Sequence, residues 1–175
     1  MRRKKLMWVV LCGIAPILTA LYVGRALATP ATFGFVATTL ALGRLSEFNV
    51  FNQVVPQGTP PWLSLQLTKG SSDLYVQNNV WQPGASTGWH SHPGHSLIIV
   101  TAGTLTDYEG SDPTCKPTAY KRGMAFVYPG SDHVHNIRNE TGAVATTIAV
   151  QLIPADAQRR IDVPQPTNCP SFPVF

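Results

Sequence analysis

The sequence predicts an all-β fold, a single antiparallel sandwich or barrel, preceded by one apolar N-terminal segment. Three observations predict it. Fifteen Pro and 14 Gly in 175 residues break the chain into short elements joined by turns. Several stretches alternate apolar and polar residues or run in Val, Thr and Ile, the patterns of half-buried and buried strands. No stretch after residue 28 carries apolar residues at helical spacing, and no internal repeat points to a solenoid. The length suits one ordinary domain with a tail or targeting segment added.

Residues 1–28 read as an export signal. Arg2, Arg3, Lys4 and Lys5 form a positive start, Leu6 to Val23 carries no charge, and Ala26-Leu27-Ala28 fits the small-x-small cleavage rule. Cleavage there leaves Thr29 as the N-terminus. An uncleaved anchor is the competing reading, since 18 apolar residues reach the lower limit for a membrane span. Gly13 and Pro16 interrupt the run and favour cleavage. Positive-inside logic places the rest of the chain outside in both cases, with membrane contact only through residues 6–23 if they remain. Five of the 13 Lys and Arg lie in this segment; beyond it, eight basic residues face nine acidic ones. That balance leaves no basic patch and excludes nucleic acid as a partner.

Residues 29–59 form an N-terminal arm in which TTLALGRLSEFNVFNQV has the content of one or two strands, before a loop with Pro56, Gly58, Pro60 and Pro61. A barrel over residues 60–155 follows. WLSLQL alternates as a half-buried strand does, and after KGSSD a second strand, LYVQNNVW, ends on Pro83-Gly84. Leu97 to Val100, Thr104 to Tyr108 and Gly123 to Tyr128 read as further strands, with a turn-rich excursion from Glu109 to Pro117. AVATTIAVQLIP is the most β-like segment of all. Trp62, Trp81 and Trp89 are expected in core or rim packing. Residues 156–175 are broken by proline and read as an extended tail along the surface. With Cys12 lost in the signal, Cys115 and Cys169 remain, and an even count in an exported chain predicts a disulfide. It would pin the tail to the excursion, a closure worth about 4 kcal/mol in the chain-entropy picture.

All five histidines fall into two groups beside Gly/Pro turns: His90, His92 and His95 in GWHSHPGH, and His133 and His135 behind YPGSD. Residues two apart on a strand share a face, so two H-x-H pairs on neighbouring strands aim several imidazoles at one point. That is how a transition-metal site is made. One H-x-H alone is a weak signal, equally at home on a polar sheet face. Two such groups, with no histidine elsewhere, tilt the balance toward metal.

At these groups the sequence resembles the cupin superfamily, over roughly residues 60–155. Gly84, His90, His92 and Gly103 stand at the spacings of the first cupin motif, and Gly123, Pro129, His135 and Asn139 match the second. The chain also resembles small exported single-domain cupins of bacteria. It departs from the pattern twice. The motif Glu falls on Ser96, or on Leu97 if the spacing is one longer, and the His expected five residues after Pro129 falls on Val134. His135 restores the register to Asn139. His95 points away from His92 by strand parity unless Pro93-Gly94 forms a bulge.

The resemblance implies a double-stranded β-helix, a jelly-roll barrel, with a divalent transition metal on His90, His92 and His135. His133 is the alternative third ligand or a substrate-facing group. Imidazole donors suit Fe, Ni, Cu or Zn, and without the carboxylate Mn is disfavoured. A three-His set is similar to that of thiol dioxygenases in the superfamily, whereas its exported oxalate-degrading members keep the Glu. Two functions are therefore expected: a metal-dependent oxygenase acting on a small molecule, with Ser96, His95, His133 and Tyr128 near the reaction, or a non-enzymatic ligand-binding or structural barrel of the cell envelope. Cupins are often dimers, so a homodimer is among the expectations.

Overall fold

The computed structural model describes residues 28–172 except residue 59, so the expected signal or anchor segment lies outside the described residues apart from Ala28. Among the described residues there are twelve strands and no helix. One five-stranded antiparallel sheet runs β1 (Phe35–Leu45), β4 (Ser72–Trp81), β11 (Ala145–Pro154), β6 (Ser96–Ala102) and β9 (Ala125–Tyr128). A second runs β12 (Ile161–Asp162), β5 (His90–Ser91), β10 (His135–Arg138), β7 (Thr104–Glu109) and β8 (Thr118–Lys121). The remaining two strands, β2 (Asn49–Val54) and β3 (Trp62–Leu67), pair only with each other. The two large sheets share one apolar core and form the jelly-roll expected from the sequence.

Strand parity builds that core. On β6 the odd residues Leu97 and Ile99 face outward at 51% and 43% exposure, while Ser96, Ile98 and Val100 face in. Trp81, Ile98, Val100, Leu105, Phe126, Ile137 and Ala145 pack together from both sheets. The inward row is graded along its length. Trp81 lies opposite Ala145 and Asn79 opposite Thr147, and further along Gln151 lies opposite Ser96. One end of the barrel is thus closed by apolar packing, and the other is lined by polar side chains that tolerate water or a ligand.

A second cluster joins Trp89 and Tyr108 to the disulfide Cys115–Cys169, with Val134, Val163 and Phe172 around it. The disulfide has the pairing expected from the cysteine count. The tail is not merely laid along the surface, however. Ile161 and Asp162 pair with Ser91 and His90, and Cys169 is buried. Backbone hydrogen-bonding groups left open on β5 attract it there, since buried N–H and C=O groups need partners.

The hairpin β2–β3 also departs from expectation. WLSLQL alternates as read, but its phase is inverted: Ser64 and Gln66 are half-buried, while Trp62, Leu63, Leu65 and Leu67 are 54–70% exposed. Gln66 is held by its amide against the His95 ring at 3.3 Å. Trp62 therefore packs in neither core, unlike Trp81 and Trp89, each 1% exposed. Replacing Cys115 and Cys169 together by Ser is expected to lower unfolding stability by about 2–5 kcal/mol, read from urea midpoints without reductant. An unchanged midpoint would show that the tail is held by its strand pairing alone.

Candidate metal centre

The site begins with a strand of two residues. β5 lies between β10 and β12, with His90 opposite both His135 and Asp162. His92 follows two residues on and turns to the same side. The turns beside the two histidine groups then meet: a Cβ on Gly130 would lie 2.4 Å from the carbonyl carbon of Gly94. Gly130 also has φ +87°, so glycine is required there twice over, by backbone conformation and by close approach. This contact draws the Pro93-Gly94 turn onto the Pro129-Gly130 turn and sets the two histidine groups face to face.

His90, His92 and His135 converge, with ligand nitrogens within 4.8 Å of one another. Ring centroids are 4.3 Å apart for His90 and His135, 4.8 Å for His90 and His92, and 5.4 Å for His92 and His135. Each ring is fixed the same way. Nδ1 of His90 donates to the Gly88 carbonyl at 2.9 Å, that of His92 to the Arg159 carbonyl at 2.7 Å, and that of His135 to the His133 carbonyl at 3.3 Å. A carbonyl only accepts, so the proton sits on Nδ1 and the lone pair on Nε2. Three Nε2 lone pairs directed together are compatible with a divalent transition metal, and backbone carbonyls are the usual orienting partners of such ligands. Burial keeps the rings neutral: His92 is lowered to about 4, and His90 and His135 fall well below the ordinary value.

His133 stands apart. Its Nε2 pairs with the Glu109 carboxylate, which raises its pKa, and its ring lies 5.7 Å from that of His135. Of the two histidines open at the second motif, His135 is the one that lies in the converging group. Tyr128 is fully buried and stacks on His135 at 3.7 Å. Beside its hydroxyl lies Asp107, 1% exposed, which burial pushes up to about 7. Neither the Tyr128 hydroxyl nor Asp107 Oδ1 finds a well-aligned hydrogen bond. At the missing motif Glu, Ser96 rather than Leu97 faces in, and its Oγ accepts from Gln151 Nε2 at 3.0 Å. His95 points the other way, toward the hairpin, as strand parity predicts.

The three imidazoles line a cavity of about 550 Å³ including its mouth, together with Ser96, Gln151, Gln77, Tyr128, Arg159 and Arg160. The two arginines come from the tail and were missed by reading it as a surface segment. A signal was present: Arg159-Arg160 is the sole Arg-Arg pair beyond residue 28 of a chain with 13% charged residues.

Comparison with known proteins gives one family match and several structural likenesses. The family model "Cupin domain" matches residues 80–151. No curated protein matches the sequence. Among solved structures the chain is similar to Peruvianin-I, a cysteine peptidase from Thevetia peruviana latex, at 22% identity and TM-score 0.44, over 53% of this chain and 56% of that one. It is similar to a cupin-like protein from Thermotoga maritima at 25% identity and TM-score 0.44, over 53% and 65%. An oxalate oxidase in complex with the substrate analogue glycolate gives 23% identity and TM-score 0.39, over 45% and 41%. The chain thus spans less than two thirds of the length of each of these three. The segment that matches the cupin-domain model, residues 80–151, carries all three converging histidines.

Proposed function

We propose that this is an exported, metal-dependent cupin that acts on a small molecule as an oxygenase. The observation that carries the reading is the common tautomer of His90, His92 and His135, each with Nδ1 on a backbone carbonyl and Nε2 turned inward. A buried N–H needs an acceptor in any case; what packing alone does not account for is that all three remaining ring nitrogens converge on one point. A divalent Fe, Ni, Cu or Zn ion on these nitrogens supplies a Lewis-acid or dioxygen-binding centre when present. The chain's own residues do the rest. Tyr128 fixes His135 from behind by stacking, the polar end of the barrel admits the substrate, and the apolar end excludes water from one side. Export is supported by the leader-like residues 1–28 and by the disulfide, which persists in oxidising compartments.

Metal content tests the reading. The untagged wild-type protein is expected to hold about one first-row ion per chain, as this single site requires. His90→Ala and His135→Ala lose it, and His133→Ala keeps it. No ion in the wild type after reconstitution would leave a non-enzymatic barrel. Loss in His133→Ala but not in His135→Ala would reassign the third ligand.

Protons compete with the metal for the same nitrogens, so pH gives a second test. The folded-state pKa of His92 lies below its unfolded value, so its neutral ring stabilises the fold fully above about pH 6.5. That contribution is lost as pH falls toward and through about 4. Asp107 and His133, raised in the fold, titrate in the opposite sense, so the comparison is with His92→Gln. In the metal-free proteins, the stability lost between pH 7 and pH 4 is expected to be larger in wild type by about 3 kcal/mol. Parallel urea-midpoint profiles would show that His92 is not held neutral.

A further inference from the structure

Charge in the cavity is one-sided. Arg159 and Arg160 line it with the three histidines, and among the described residues no Asp or Glu does. Arg159 Nη1 donates to the neutral Gln77 Oε1 at 2.7 Å, and among the described residues its guanidinium meets no carboxylate. Arg160 is partly balanced, with Nε on Asp162 at 2.6 Å and Nη2 on the Thr87 carbonyl at 2.5 Å. Both guanidiniums are partly withdrawn from water, which lowers their pKa. A half-buried cation is costly unless an anion meets it. The segment is not free to turn away, because the Arg159 carbonyl holds the His92 ring and Ile161 pairs with Ser91. A divalent ion on the histidines would add further positive charge, with no carboxylate lining the cavity to offset it.

We infer that the cavity is a receptor for a small organic carboxylate, with Arg159 as the anchor for its oxyanion and Arg160 beside it. A guanidinium presents its donors as a planar fork that matches two oxygens of one carboxylate. The lining also includes Phe35, Trp81 and Ile98, which suits a carbon skeleton better than an inorganic oxyanion. This names the substrate class for the metal-site reading and rests on it for how the acid faces the histidines. The arginine contacts themselves need no ion. Neither arginine falls within the matched cupin segment, so the acid would be read by a part of the chain outside that segment.

The test is calorimetric titration of malonate, its neutral counterpart malonamide and inorganic phosphate into the purified chain, metal-free and zinc-loaded, with zinc content measured after each run. Malonate is expected to bind both forms and more weakly in high salt, and malonamide to bind at least about ten-fold more weakly. Arg159→Gln should weaken malonate about ten- to a hundred-fold with zinc content unchanged, because the substitution leaves the backbone carbonyl on His92 in place. Arg159→Lys, which keeps the charge but not the fork, should fall between, and serves if the Gln variant does not fold. Equal malonate binding in wild type and variants, malonamide binding as tightly, no malonate binding in either form, or phosphate binding more tightly than malonate would each overturn the proposal. Failure to load zinc would sink the metal reading alone, since the metal-free titrations still decide the arginine site.

Discussion

The hydrogen bond from His92 Nδ1 to the Arg159 carbonyl ties together parts of the chain that are distant in sequence. It sets the tautomer and angle of one ring of the triad. It also fixes where the tail leaves β11 and approaches β5. From that bond follow the position of two guanidiniums at the cavity, the pairing of β12 with β5, and the path that brings Cys169 to Cys115. A two-residue strand such as β5 has little stability of its own, and it is held because it has a partner on each side.

The barrel can keep such a group of polar side chains inside because its interior is divided along the strands. Trp81, Leu105 and Ala145 fill one end to the exclusion of water, and that packing supports the uncompensated polarity of the other. Tyr128 sits at the boundary. Its ring belongs to the apolar cluster and stacks on His135, while its hydroxyl faces Asp107, a carboxyl that burial pushes up to about 7. The imidazoles are likewise neutral for want of solvent. Two kinds of titratable group are thus shifted toward their uncharged forms within one interior, and the Glu109–His133 pair lies at its more accessible edge.

Much of this was legible in the residues. Parity in H-x-H puts two rings on one face, and the count of cysteines leaves a single pairing; both are local arithmetic, and the geometry follows them. Parity also separates Ser96 from Leu97 once the strand is paired with Tyr128 and Gln151, but without partners the inward face has no name. The hairpin shows the limit most clearly. WLSLQL alternates correctly, yet alternation gives two faces and does not say which one meets the barrel, and there the polar face does. The tail was opaque for a different reason. Its proline content reports local stiffness, whereas its position is set by a carbonyl and a strand edge far away in sequence, neither of which any local pattern encodes.

The arm at the other terminus has a bearing on what counts as the working unit. Thr29 Oγ1 accepts the Trp89 N–H, next to His90, and Gly88 lies so close to the arm that an added Cβ would meet the Thr29 carbonyl at 2.2 Å. Residue 29 is thus bolted to the backbone just ahead of β5, and residues 159–162 to β5 itself and to the His92 ring. A fragment cut to the boundaries of the recognised domain would contain every histidine and still lack the frame that orients them. The contacts that hold β5 and the His92 ring in place thus come from both sides of the matched segment in sequence.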